Sequence, residues 1–228
     1  SRIHKEVPPC NERFFFSEHN LLSSTISGMC QHHLKDIRTM LVEHYRCDPR
    51  IIGFCNERFY DGQLIPMTHE CKSNEQPLCI LPIKEHTDRN SDFNRVQARE
   101  FEAIVKKGVF SDLCLKDIGA ITPYRKQVNG MKENGITPEI DIDTVHKFQG
   151  REKRAIAFIT VKNYLSKFLD DPNIINVSVS RATERFTLIV QSDLINKQSS
   201  GNLPALAQYM RYHGGAELER RTSSVFDL

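Results

Sequence analysis

Along the chain, short all-apolar runs alternate with apolar positions recurring at helical spacing, the order of a layered α/β domain. The run Leu78–Ile83, L-C-I-L-P-I, is almost wholly apolar, as a strand covered on both faces must be, with Pro82 at its end or at an edge position. Upstream, a short strand ends at His44-Tyr45-Arg46. Pro49 then stands where the first turn of a helix accepts it, and Ile52, Cys55, Asn56 and Phe59 form one face. In residues 92–107, Phe93, Val96, Ala98, Phe101, Ile104 and Val105 mark an amphipathic helix. Asp92 is its expected N-cap, and Lys106-Lys107-Gly108 supply the basic last turn and the stop.

Residues 117–127 read as strand, then Thr122-Pro123-Tyr124, then a helix continuing through Met131, with a turn at Gly135-Ile136-Thr137-Pro138. A strand over 140–145, a loop through Glu152 and a strand over 155–161 follow. A charged connector, 163–171, leads to a helix over 172–182 with Asp171 as N-cap, then to a strand over 186–190. A last helix spans 203–212, with Leu206, Tyr209 and Met210 on one side, and stops at Gly214-Gly215. Residues 61–76 and 84–91 are polar surface loops.

The least legible segment is 1–38. Lys5-Glu6-Val7-Pro8-Pro9 is a proline-bearing loop, and Phe14-Phe15-Phe16 and Leu21-Leu22 suggest a strand edge or helix entry. The organisation expected is a connector over 1–38, one large domain over 39–195, and a C-terminal helix and tail over 196–228. Val225-Phe226-Asp227-Leu228 gives that tail an apolar end, which suggests that the natural protein continues.

With 39% hydrophobic and 26% charged residues in 228, the composition is that of an ordinary soluble domain with a substantial core. A net charge of +2 neither demands nor excludes nucleic acid, because acids elsewhere can hide a local basic groove. No apolar run is long enough for a membrane span, and S-R-I-H-K-E-V-P-P is no signal peptide, so a cytoplasmic location (or nuclear, in a eukaryote) is expected. Seven scattered cysteines without a Cys-x-x-Cys pair read as reduced thiols. His32-His33, near Cys30, reads as helix surface, and Asp141 and Asp143, alternating with Ile140 and Ile142, as the polar side of a strand. No metal site is expected.

Two stretches carry most of the chemistry. In I-D-I-D-T-V-H-K-F-Q-G-R-E, a strand runs into a loop whose Gly150 lets backbone approach a ligand. In N-I-I-N-V-S-V-S-R-A-T-E-R-F-T-L-I-V, a helix delivers Ser180-Arg181 to its end before an apolar strand. These resemble motifs V and VI of superfamily 1 helicases of the 5′-to-3′ group, the group of the nonsense-mediated-decay helicase. H-Y-R-C-D-P-R-I-I-G-F-C-N-E-R-F-Y resembles another string of that group, departing from it at Cys47, where the family has Met. I-T-P-Y-R-K-Q resembles motif IV. The resemblance covers about 41–190, in the family's order, and includes only second-domain motifs. A G-x-x-x-x-G-K-[ST] loop and an acidic metal box are both missing, as is the G-x-G-x-x-G of a Rossmann enzyme.

The resemblance implies an α/β RecA-like three-layer αβα fold with a mainly parallel sheet. It implies Arg46 and Arg181 as catalytic arginines meeting the γ-phosphate, and Tyr45, Gln149, Gly150 and Glu152 as nucleotide-binding, Tyr45 stacking on adenine and Glu152 accepting from ribose hydroxyls. The physics of the side chains agrees, since a flat ring suits a purine and a guanidinium fork suits phosphate oxygens. Thr122, Pro123, Tyr124, Arg125, Thr144 and His146 become candidates for the backbone of single-stranded DNA or RNA. ATP with Mg2+ would be held mainly by a first RecA-like domain of the same polypeptide, and the fragment would be monomeric and inactive alone. The competing expectation is a degenerate module that binds nucleic acid or protein without catalysis.

Overall fold

The computed structural model describes residues 41–70, 76–85, 91–196 and 200–218. The chain divides into two compact units, Ser1–Leu41 and Val42–Leu228. The features below belong to the second. The expectations at Lys5–Pro9, Phe14–Phe16, Leu21-Leu22 and His32-His33 lie outside the described residues.

A six-stranded, wholly parallel sheet organises this unit. Its strands are β3 (Leu78–Ile83), β4 (Ile118–Thr122), β5 (Asp141–Thr144), β6 (Lys153–Ile159), β7 (Ala182–Gln191) and β8 (Ala216–Glu217), in the order β5-β4-β6-β7-β3-β8. Two short strands, β1 (Glu43–His44) and β2 (Ile65–Pro66), pair in parallel beside it. The helices are α1 (Pro49–Phe59), α2 (Arg95–Lys106), α3 (Arg125–Glu133), α4 (Pro172–Val179) and α5 (Asn202–Tyr212).

The strands are apolar on both faces because helices cover both. On one face Ile80, Phe158, Phe186 and Leu188 pack with Ile52 and Phe54 of α1, Ile175 of α4 and Met210 of α5. On the other, Leu81, Ile118, Ala157 and Ile189 pack with Phe101 of α2 and Met131 of α3. This is the three-layer αβα fold that the sequence implied. Phe101, Phe148, Phe158 and Phe186 are fully buried, each stabilising by about 1.5–3 kcal/mol.

Most elements lie where the patterning put them, and the exceptions have physical causes. The helix expected over 92–107 is α2, Arg95–Lys106, and its cap is Asn94, not Asp92. The Asn94 side chain accepts from the Gln97 amide at 3.0 Å while its amide nitrogen donates to the Val161 carbonyl at 2.8 Å. Asp92 instead pairs with Lys162 Nζ at 2.8 Å. Either residue type caps well, and the tertiary partners decide. Pro49 occupies the first turn of α1, and Asp171 caps α4 by accepting from the Asn173 and Ile174 amides. That helix ends at Val179 rather than at 182, because Ala182 already begins β7.

Pro82 sits inside β3 without loss. The Ile80 carbonyl points toward β8 and accepts from Leu218, and Pro82, two residues on, points the same way past the end of β8. Strands β2 and β8 are two residues long each and carry no alternation to read. Through α5 and β8, residues 202–217 join the same sheet and core.

Candidate functional site

At the amino edge of the sheet, the turn after β1 presents Tyr45 and Arg46 and is stapled in place. His44 Nε2 accepts from the Cys47 amide at 3.0 Å, and the Asp48 amide donates to the Thr183 carbonyl at 2.8 Å. The buried Cys47 thiol donates to the Ser180 carbonyl at 3.4 Å. Residues 44–48 are thereby fixed against the junction of α4 and β7, which carries Arg181. The Lys153 amide donates to the Arg181 carbonyl at 3.1 Å, bringing in Glu152 at the start of β6. Arg46 Nε pairs with Glu152 Oε2 at 2.5 Å, both side chains about half exposed.

Arg181 lies in the field of that pair. Burial, and then the charge of Arg46, pull its guanidinium pKa below the ordinary value, while Cys47 and Glu152 oppose the shift. Its Nε is buried and has no hydrogen-bond partner among the described residues. Glu152 thus pairs with Arg46 and its charge also reaches Arg181, whose unsatisfied buried donor costs about 1–3 kcal/mol. Glu43, His44, Tyr45, Arg46, Glu152 and Thr183 line an open cleft of about 460 Å³ here. The Tyr45 ring is exposed and its hydroxyl donates to Glu43 Oε2 at 2.5 Å, leaving its faces free for stacking. The donor set fits a nucleotide polyphosphate. Among the described residues, no group of three or more His, Cys, Asp or Glu could hold a metal ion.

The second set of candidates gathers at the opposite, carboxyl edge. Register pairs Thr122 with Thr144, so β4 and β5 end side by side and their loops emerge together. Tyr124 is half-buried, Arg125 is exposed and paired with Asp143 at 3.2 Å, and His146 is exposed. Thr122 and Pro123 are buried, and the Thr122 hydroxyl accepts from the Tyr124 amide at 3.4 Å. In this conformation both shape the turn and meet no solvent. The seven residues of β6, at about 3.3 Å each, put roughly 20 Å between the two edges.

The loop 145–151 joins them. It leaves β5 at the carboxyl edge and returns to Glu152 at the amino edge with Phe148 fully buried beneath it. Arg151 braces it, donating to Asp141 Oδ1 at 3.0 Å, to Asp143 Oδ2 at 3.1 Å and to the Lys147 carbonyl at 3.1 Å, with its guanidinium 4.8 Å from the Phe148 ring centre. Burial alone would raise the Asp143 carboxyl, but the Thr144 amide and Arg151 outweigh it and hold it below its ordinary value. The Asp141–Asp143 pair is therefore a socket for arginine. Gln149 and Gly150 are exposed on this loop and do not line the cleft. Gly150 has φ +81°, and a Cβ there would meet nothing within 4 Å, so the backbone angle is what calls for glycine.

Sequence patterning left Phe168 inside a charged connector. In the structure the residue is 44% exposed, with its ring 5.8 Å from that of Tyr124 and 6.5 Å from that of His146. Its one signal in the chain is its place beside Lys167.

A family model described as an AAA domain matches residues 21–193. Rat (Rattus norvegicus) DNA-binding protein SMUBP-2 is 28% identical over 240 residues, covering 92% of this chain and 24% of the relative. An uncharacterized ATP-dependent helicase of Methanocaldococcus jannaschii is 28% identical over 228 residues, covering 87% and 33%. A regulator of nonsense transcripts 1 homolog of Arabidopsis thaliana is 33% identical over 196 residues, covering 74% and 16%. The chain thus spans about a quarter of the length of the rat relative and at most a third of the other two. With the family match running over most of its length, the chain belongs to the AAA domain family, and the relatives it matches include named helicases.

Proposed function

We propose that this chain is the second motor domain of an ATP-dependent nucleic-acid helicase, completing an ATP site whose phosphate loop and Mg2+ ligands lie on a first RecA-like domain of the same polypeptide. The observation that carries this reading is the convergence of Tyr45, Arg46, Glu152 and Arg181, distant in sequence, on one edge of the sheet. In it, Tyr45 stacks on the base. Arg46 and Arg181 bind the terminal phosphate, and Arg181 meets charge developing on the transferred phosphoryl group. Glu152 passes from Arg46 to the ribose hydroxyls when phosphate takes the arginine, an exchange of one charge-assisted bond for another. Gln149 and Gly150 belong to the loop that couples this cleft to the strand.

At the other edge, Tyr124, Arg125, Thr144 and His146 contact single-stranded DNA or RNA, on a turn shaped by Thr122 and Pro123. Phosphate contacts position a strand without reading its sequence, which suits a motor that must step along any strand. Closure of the two domains on ATP, and opening after phosphate loss, would move this edge along the strand.

The test is Arg181→Ala in the full-length helicase. Strand-stimulated ATP turnover should fall by about 10³–10⁵-fold with strand affinity retained, and the 228-residue chain alone should release no phosphate from ATP. Unchanged turnover in the variant removes Arg181 from the site. Turnover by the isolated chain refutes the division of labour between domains.

A further inference from the structure

The loops at the carboxyl edge have a composition that backbone contacts alone do not explain. Each brings an aromatic ring and a cation that are neighbours in sequence: Tyr124 with Arg125, His146 with Lys147, and Phe168 with Lys167. Three separate segments thus converge with the same pairing, and of the six residues only Tyr124 is half-buried, the other five being exposed. Phe168 lies at their centre. Its ring meets Tyr124 edge-on at 72° and is tilted 38° to His146.

The ring is not exposed for want of a core. Its neighbour Leu169 is fully buried and Leu165 packs on the same core, so the segment is anchored without it. Nor is it loosely placed. Tyr124, its main contact, is held from behind by Lys162, whose Nζ lies 5.2 Å from the Tyr124 ring centre and is itself pinned by Asp92. The Tyr124 hydroxyl reaches Ser166 Oγ at 3.4 Å, tying that ring to the Phe168 segment. An apolar ring that is fixed in position, in a residue left 44% open to water, has already lost the freedom that binding would otherwise cost it. Aromatic faces interleaved with cations are the chemistry that holds single-stranded nucleic acid by its bases as well as its phosphates.

We propose that Phe168, supported by Tyr124 and His146, is a base-stacking ledge, so that this edge grips the bases of a single strand and not only its backbone. The proposal rests on the reading of this edge as the strand-binding side. Stacking uses the π-face that every base shares, so the grip is tolerant of sequence and common to DNA and RNA.

The chain contains no tryptophan, so Phe168→Trp places one indole reporter at the ledge. At low ionic strength, oligo-dT and oligo-rU should each quench its fluorescence, and an abasic strand of equal length, with the same phosphates and no bases, should not. In parallel, Phe168→Ala should weaken oligo-dT binding about 5- to 150-fold, the ~1–3 kcal/mol of one base–aromatic stack, and leave abasic binding unchanged. Phe168→Tyr should restore oligo-dT binding, which separates loss of the ring from loss of the fold. Equal losses for both strands in Phe168→Ala, or equal quenching by both in Phe168→Trp, overturn the ledge while leaving a backbone-binding edge in place. Failure of the unaltered chain to bind any strand overturns the ledge together with the reading beneath it.

Discussion

At the scale of single residues, the cleft depends on a histidine that must stay neutral. His44 Nε2 accepts the Cys47 amide, which an imidazolium cannot do, and burial followed by the charge of Arg46 lowers its pKa from the ordinary 6.5. Between that depressed value and 6.5, the unfolded chain binds the proton more readily than the folded one. The contribution of His44 is therefore complete above about 6.5 and is lost as pH falls through this window. Urea midpoints taken at neutral and mildly acidic pH should show a drop that is smaller in His44→Gln, whose amide oxygen can still accept from Cys47. Equal drops in the two proteins would remove His44 from the pH dependence. This residue also marks where sequence reading stops. Tyr45, Arg46 and Arg181 are legible as residue types in an ordered string, because their chemistry is written in one letter each. The pairing of Arg46 with Glu152, the staple from Cys47 to Ser180 and the burial of Thr122 are products of packing between distant segments, and no local pattern encodes them.

At the scale of elements, β4 depends on a missing side chain. A Cβ on Gly119 would stand 2.8 Å from Ile156 Cδ1 and 2.9 Å from Phe148 Cζ, and both of those side chains are fully buried. Neither can yield without displacing its neighbours, so Gly119→Ala should cost about 1–3 kcal/mol by overpacking. The displacement would fall on Phe148, the residue that seats the loop 145–151 on the sheet. A lowered urea midpoint with an unchanged slope is the expected result, and an unchanged midpoint would show that the loop yields freely. The elements themselves were the most legible part of the chain. Leu78–Ile83 matches β3 because a strand buried on both faces has only apolar residues to show. The N-cap of α2 was misplaced by two residues because Asp92 and Asn94 have equal local claims, and the Val161 carbonyl and Lys162 settle the matter from far along the chain. Strand β8 was missed because two residues carry no period, and the open flank of β3 is what defines it.

At the scale of the molecule, the proposed function requires a strand at one edge of the parallel sheet to report to a nucleotide at the other, roughly 20 Å away along β6. The loop 145–151 is a covalent path between the two sets of candidates, and Arg151 fixes its shape through Asp141, Asp143 and the Lys147 carbonyl. These contacts join the backbone just after His146 to the backbone just before Glu152. Pull on one end is then carried to the other by a braced segment rather than absorbed by a slack one. Arg151 is itself part of neither the cleft lining nor the aromatic ledge, so it would act on the reaction only by position. In the full-length helicase, Arg151→Ala should leave strand affinity and unstimulated ATP turnover near their original values while reducing the stimulation of turnover by single strands severalfold. Arg151→Lys should rescue little of it, because one ammonium cannot span two carboxylates and a carbonyl as the planar fork does. The split between the stimulated and unstimulated rates is the diagnostic, since a general loss of stability would lower both together. If stimulation survives in both variants, signal between the edges travels through the sheet and not through this loop.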